Sequence, residues 1–322
     1  MITASGAIAF NGIDPDRRCL NACVFCAGIC PGGTVSQQWN LAVTEAAALL
    51  QQGITNITLS GLDAGEYPKL VEFVRYLIDH GATNIELSTH GRTLRDFAFV
   101  KDLKDAGVNA VRIPLYGSTP SIHDRTTRKQ GSFFEAVKGI QNCAGVGFDI
   151  WGHIIATQYN KEDLNNILNL YISLAEQRIV SLQIVPVFIL EKTLAFTRDW
   201  FLPTKDMKPY LQEVHLHHPD TPVRIRLLEI PYCVLGGYSD MVDSVVMYGQ
   251  HEGDLNSRQI RAIVKNEPNK NAPHFRAKMY FSECEQCILR SRCSGLPAND
   301  YDLFGAGELK AIRSEACLDS LI

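Results

Sequence analysis

CLNACVFC, residues 19–26, spaces three cysteines as C-x3-C-x2-C. Three thiolates on one short loop can hold three irons of a [4Fe-4S] cube, leaving the fourth iron open to another ligand. An open iron implies chemistry rather than scaffolding. The same residues also admit a zinc knuckle with Cys30 as fourth ligand, a disulfide pair, or buried apolar thiols. The organisation of the chain around the loop weighs against these.

The loop follows the first of six short runs that read as strands: residues 6–12, 55–60, 83–88, 109–114, 148–156 and 180–186. Between them, 41–52, 68–80, 94–106, 132–145 and 161–177 carry apolar residues at helical spacing, as in Leu70, Phe73, Val74 and Leu77. Alternating strands and helices predict an α/β fold with a parallel sheet. In a β/α barrel the loops after the strands build the active site, and the cysteine loop is one of these.

At 322 residues and 46% hydrophobic content, the chain can bury a barrel-sized core and a smaller second unit. A net charge of -4 with interspersed signs leaves no basic footprint for nucleic acid. The first residues, MITASGAIAF, lack the basic start and long apolar core of a signal peptide, and no apolar run approaches the roughly 20 residues that span a bilayer. A cytoplasmic protein with no membrane partner is expected. Ten cysteines clustered at short spacings then point to metal before disulfides.

Cys19, Cys23 and Cys26, with the aromatic Phe25 before the last of them, resemble the signature of the radical S-adenosylmethionine (SAM) superfamily. The resemblance implies a [4Fe-4S] cluster on these cysteines whose open iron chelates SAM and passes it one electron, releasing methionine and a 5'-deoxyadenosyl radical. It also implies a partial (β/α)6 barrel of the TIM type with the cluster loop after its first strand, here residues 1–222. An external electron donor of the flavodoxin or ferredoxin type would reduce the cluster.

LSGLDAGEYP (59–68), at the end of the second strand, looks like the family's glycine-rich SAM motif. Gly61, lacking a Cβ, would let the backbone approach the methionine part of SAM, and a nearby acid would accept from its amino group. Asp63 stands where the family usually has Glu, and Glu66 competes for the role. LSTHGR (87–92) resembles the family's Thr-Asn-Gly strand end, with Thr89 and His90 facing the barrel mouth. IPLYGS (113–118) ends the fourth strand, followed by IHD (122–124) and GSF (131–133). By the same resemblance, Ser118, His153, Gln158 and Asn160 are candidates to hold the ribose and carboxylate of SAM. A lone His153 on an apolar strand is more often a hydrogen-bonded core residue than a ligand-binder.

A second group, Cys284, Cys287 and Cys293, is spaced C-x2-C-x5-C in CEQCILRSRC. That spacing signals a metal, either zinc or iron-sulfur. Cys233, at the end of the apolar run RLLEIPYC, is the best fourth ligand. The tail resembles the twitch and SPASM auxiliary-cluster domains of radical SAM enzymes, but Pro297 stands where SPASM domains carry a further cysteine. This implies one auxiliary [4Fe-4S] cluster in a small C-terminal domain, residues 223–322. Of the remaining thiols, Cys143 lies on a predicted helix and is assigned to the core, while Cys30 and Cys317 are candidate hydrogen-atom donors.

The resemblance implies an enzyme that abstracts a C–H hydrogen and modifies a peptide by crosslinking, oxidation or epimerisation, the auxiliary cluster accepting an electron or ligating substrate. The alternative substrate is a sugar, aminocyclitol or nucleoside of a small-molecule pathway. A non-catalytic iron-sulfur or zinc protein is the distant third reading, since such a protein needs neither a barrel nor an open iron.

Overall fold

Seven parallel strands, β1 (Ser5–Phe10), β2 (Asn56–Gly61), β3 (Asn84–Ser88), β4 (Val108–Pro114), β5 (Asp149–Ala156), β6 (Ile179–Pro186) and β7 (Ile225–Leu227), lie in one sheet in sequence order. The structure is a computed structural model. It describes residues 5–10, 19–26, 33–187, 199–217, 223–228, 230–235, 278–293, 295–297, 300, 304–305, 307 and 309–314. Helices α1 (Val35–Gln51), α2 (Leu70–Asp79), α3 (Phe97–Ala106), α4 (Pro120–Thr127), α5 (Ser132–Val146) and α6 (Leu164–Ala175) connect the first six strands, as parallel pairing requires. Beyond β6 come α7 (Lys208–His217), the single turn α8 (Tyr232–Leu235) and an antiparallel pair, β8 (Lys278–Met279) with β9 (Leu296–Pro297).

Contact density divides the chain into two units, Met1–His153 with Ile167–Ser181, and Ile154–Asn166 with Leu182–Ile322. The boundary expected after residue 222 falls inside the second of these.

In the first unit the register runs through Ile57 to Ile85 and Leu59 to Leu87, and these four residues are buried. They alternate with the half-buried Thr58, Glu86 and Ser88, so that one face of the sheet packs on helices and the other carries polar groups. On that polar side Arg112 donates to both oxygens of Glu86, at 2.8 and 3.2 Å, and its guanidinium lies 5.3 Å from the Trp151 ring centre. On α2, Leu70, Phe73, Val74 and Leu77 are all buried, as their spacing predicts. Cys143 is buried in α5, in keeping with its core assignment.

In the second unit, β6 pairs with β7 through Leu182 to Ile225 and Ile184 to Leu227. This seventh strand is absent from the sequence expectation of six. Its three residues are too short a run to stand out among turns. Two further corrections concern helices. α1 begins at Val35 rather than 41, because Thr34 and Gln37 form a capping box in which each side chain accepts from the other's backbone N–H (3.2 and 2.8 Å). α4 was not expected: Pro120 starts it at a favourable first-turn position, and Arg128, with φ of 55°, ends it in the left-handed region. Among the described residues no helix is long and apolar enough to cross a membrane.

Candidate functional site

The cysteine loop is tied down on two sides. On one, the Ala22 and Val24 N–H groups donate to the carbonyls of Thr127 and Thr126 at 2.9 Å each, at the end of α4. That end is itself rigid. Asp124 accepts from the Gly131 and Phe133 N–H groups (2.6 and 2.9 Å) and from the Ser132 hydroxyl (2.8 Å), which caps the start of α5. These donors hold the Asp124 carboxyl below the usual range despite the opposing effect of desolvation. The IHD and GSF motifs are thus the two halves of one turn that carries the loop.

On the other side lie the ends of β2 and β3. Leu20 N–H donates to Glu66 Oε1 (2.8 Å), while Arg92 Nη1 donates to the Leu20 carbonyl (2.7 Å) and to Asn21 Oδ1 (3.1 Å). Asn21 N–H in turn donates to Cys19 Sγ (3.3 Å). Arg92 is anchored behind by Glu135, which also pairs with Arg95.

Asp63 is buried and accepts from the Thr89 hydroxyl (2.7 Å) and the His90 N–H (2.6 Å). His90 Nδ1 accepts the Arg92 N–H (3.1 Å), which places the ring proton on Nε2, 2.6 Å from Glu66 Oε1 and 3.3 Å from Asp63 Oδ2. Cys19 Sγ, one oxygen of each acid and a His90 nitrogen lie within 4.8 Å of one another. Such a donor set could hold a single cation, but the proton on Nε2 makes His90 a donor to the acids instead.

Charge is distributed unevenly between the acids. Burial raises the Asp63 carboxyl above its ordinary range, and its hydrogen bonds only partly offset this. Burial also pushes Glu66 upward, but the bonds from His90 and Leu20 outweigh it and leave this carboxyl below the usual range. Glu66 is therefore the firmer anion and Asp63 the deeper one.

The thiols fit an iron cube on the chemistry of their surroundings. Burial, with Asp63 adding to it, raises Cys19 above its ordinary range, and burial then the neighbouring Cys26 push Cys23 up to about 12. Cys23 interacts electrostatically with both Cys19 and Cys26, so bare thiolates at Cys19 and Cys23 are disfavoured and a cationic centre would offset their charge. Phe25 packs edge-on to Tyr116, ring centres 5.3 Å apart. Tyr116 N–H donates to His123 Nδ1 (3.2 Å), and burial holds the His123 imidazole down to about 4, so this ring is neutral.

Of the other nominated residues, Gly61 ends β2 with φ of 117°, a conformation that itself calls for glycine. Ser118 lies half-buried after β4. His153, also half-buried, sits in β5, where its N–H donates to the Tyr171 hydroxyl (3.4 Å). Gln158 and Asn160 belong to the second unit. There the Gln158 N–H donates to the Trp200 carbonyl (2.9 Å). Asn160 is fully buried and spends its amide on its own turn: Oδ1 accepts from Thr157 N–H (2.7 Å) and Nδ2 donates to the Ile155 carbonyl (2.9 Å). Those bonds give it a structural role that its position in the sequence did not reveal. Cys30 and Cys317 lie outside the described residues. Sequence reasoning missed Arg92, Glu135 and Tyr116; the first stands in the quoted LSTHGR, but nothing local shows that it reaches the cysteine loop.

In the second unit Cys233, Cys284, Cys287 and Cys293 line one pocket, together with Tyr280 and Arg290. Burial, followed by the other three thiols, pushes Cys233 up to about 12. The Gly295 N–H donates to Cys293 Sγ (3.4 Å), and the Tyr280 hydroxyl donates to the Cys293 carbonyl (2.7 Å). Pro297 is in β9, opposite Lys278. Four converging thiols fit a closed [4Fe-4S] cube or a tetrahedral zinc site.

A parallel α/β sheet whose first strand is followed by a three-cysteine loop, held by Glu66 after the second strand, is the arrangement that the radical SAM resemblance implies. Residues 14–171 match the Radical SAM superfamily model, so the chain contains a radical SAM domain. It is 29% identical over 169 residues to the PqqA peptide cyclase of Ruegeria pomeroyi, covering 51% of this chain and 44% of the relative. It is 27% identical over 158 residues to the Fe-coproporphyrin III synthase of Methanosarcina barkeri, covering 48% and 38%. The chain thus spans less than half the length of these curated relatives. Among solved structures, SuiB of Streptococcus suis shares the fold at a TM-score of 0.52 and 10% identity, over 70% of this chain and 49% of SuiB. The same score holds for SuiB bound to its precursor peptide SuiA.

Proposed function

We propose that this protein is a radical SAM enzyme that modifies a peptide by crosslinking, oxidation or epimerisation, with one cluster on Cys19, Cys23 and Cys26 and an auxiliary [4Fe-4S] cluster on Cys233, Cys284, Cys287 and Cys293. The observation that carries the reading is the convergence of Cys233, from a distant helical turn, on the three C-terminal cysteines. A four-thiol site in the second unit, together with a three-thiol loop in the first, supports a two-cluster enzyme. The peptide substrate is supported by the similarity to PqqA peptide cyclase.

When bound, the first cluster supplies the electron for SAM cleavage, the chemistry that the cofactors rather than the side chains carry. The chain's residues do the holding. Asp63 and Glu66 offer carboxylate oxygens for the SAM amino group, and Thr89 and His90 orient those acids. Phe25 and Tyr116 form an apolar wall beside Cys23 and Cys26. An external donor of the flavodoxin or ferredoxin type would deliver the reducing electron.

The test is anaerobic reconstitution with iron and sulfide, then incubation with SAM and dithionite and measurement of 5'-deoxyadenosine. Wild type should form it, and the combined change of Cys19, Cys23 and Cys26 to Ala should abolish it while leaving iron in the second unit. Formation by the triple variant would defeat the assignment. Incubation with peptides encoded beside the gene, read by a mass change, tests the substrate. Turnover of a sugar, aminocyclitol or nucleoside in their place would select the small-molecule alternative.

A further inference from the structure

We infer that Arg92 is a positioning residue for the cluster-bearing loop: its guanidinium clamps the Cys19-Leu20-Asn21 segment and sets the hydrogen bond that Cys19 Sγ receives. This rests on the reading of the loop as a cluster site. Both backbone polar groups of Leu20, the residue after Cys19, are gripped: Glu66 takes its N–H (2.8 Å) while Arg92 Nη1 donates to its carbonyl (2.7 Å). Nη1 also donates to Asn21 Oδ1 (3.1 Å), and Asn21 donates its own N–H to Cys19 Sγ (3.3 Å). The guanidinium therefore lies two hydrogen bonds from a ligand sulfur.

Three features separate this from an ordinary ion pair. The Arg92 side chain is only 14% exposed, and Asn21 is buried, so solvent cannot readily replace either bond. Nε is engaged by Glu135 on α5, which fixes the plane of the fork from behind. The Arg92 backbone N–H also holds His90 Nδ1, so one residue orients both the loop and the imidazole that faces Glu66. Held at Nε by Glu135, the guanidinium acts on the loop through the fixed directions of its remaining donors. A fork can grip several acceptors at fixed angles, and a lysine ammonium, a point charge on a flexible stem, cannot.

Partners that orient metal ligands are typically worth about 10- to 100-fold in metal affinity. With reconstituted full-length protein, Arg92→Ala should release iron of the Cys19 loop to EDTA roughly 10- to 100-fold faster than wild type. It should also change the electron paramagnetic resonance spectrum of the dithionite-reduced protein and its response to added SAM. Asn21→Ala, which removes one arm only, should move the same readouts in the same direction by less. Arg92→Lys should behave like the alanine variant. The melting temperature of iron-free protein identifies a folding defect in Arg92→Ala, in which case Asn21→Ala and Arg92→Lys decide. Wild-type iron release and spectra in the variants would overturn the clamp, as would full restoration by lysine, which would assign the effect to charge. A wild type that assembles no cluster on the Cys19 loop would instead defeat the proposed function, so the two failures are distinguishable.

Discussion

Protonation of His123 couples the stability of the loop-bearing turn to pH. The ring is 2% exposed and its Nδ1 accepts the Tyr116 N–H at 3.2 Å. Burial lowers its pKa from 6.5 to about 4, with Arg92 and His90 lowering it further and Asp124 opposing them. The folded ring refuses a proton that the unfolded chain accepts below about pH 6.5, so stability is lost as pH falls and the loss levels off near the folded pKa of about 4. From these two pKa values, unfolding gains about 0.2 kcal/mol at pH 7 and about 2 kcal/mol at pH 5. The difference is a sizeable fraction of the roughly 5–15 kcal/mol that holds a typical domain together. Urea denaturation of iron-free, reduced protein at pH 7, 6 and 5 would measure it against His123→Asn, whose side-chain oxygen can still accept the Tyr116 N–H. The variant should be less stable at pH 7, because it loses ring packing on Phe133. Its pH dependence between 7 and 5 should nevertheless be flatter than wild type by about 2 kcal/mol. Equal slopes in the two proteins would refute the reasoning, whatever their absolute stabilities.

Cys233→Ala should remove close to half the iron from a reconstituted protein holding about eight atoms, since each cube contains four; four irons and one zinc in wild type would make the C-terminal site structural. Asp63→Asn removes a charge-assisted bond worth about 1.5 to 3 kcal/mol, so SAM affinity by equilibrium binding should fall roughly ten- to a hundred-fold, and a normal affinity there beside a weakened one in Glu66→Gln would move the role to Glu66. In Gly65→Ala the new Cβ would stand 2.5 Å from Thr89 Oγ1 and 3.0 Å from Asp63 Oδ1, so the pair must separate. SAM binding should weaken in that variant too, and an unchanged affinity would show that the Thr89 to Asp63 bond is dispensable.

Strands β2 to β6 and helices α2, α3, α5 and α6 were legible in the sequence because their apolar residues repeat at the periods that burial on one face demands. The cysteine spacings were legible because ligands on one short loop are neighbours by covalent geometry alone. Harder to read were elements with little periodic signal: α4, rich in polar residues, and the three-residue β7. Asn160 illustrates the same limit at a candidate site residue. Its residue type suits ligand binding, and its amide also bonds across the turn from Ile155 to Asn160, a contact that only the folded backbone creates.

The sequence by itself determined the class of chemistry: three thiols at C-x3-C-x2-C after a strand, and a second group at C-x2-C-x5-C, are local patterns whose meaning survives without coordinates. Tertiary structure decided which groups meet across the chain. It brought Cys233 to the C-terminal cysteines, and it set Glu66 on the N–H and Arg92 on the carbonyl of Leu20, next to Cys19. The reason is physical. Local spacing is encoded in the covalent chain, whereas long-range pairing is selected by the burial of apolar surface and the need to satisfy every polar group carried inside with it.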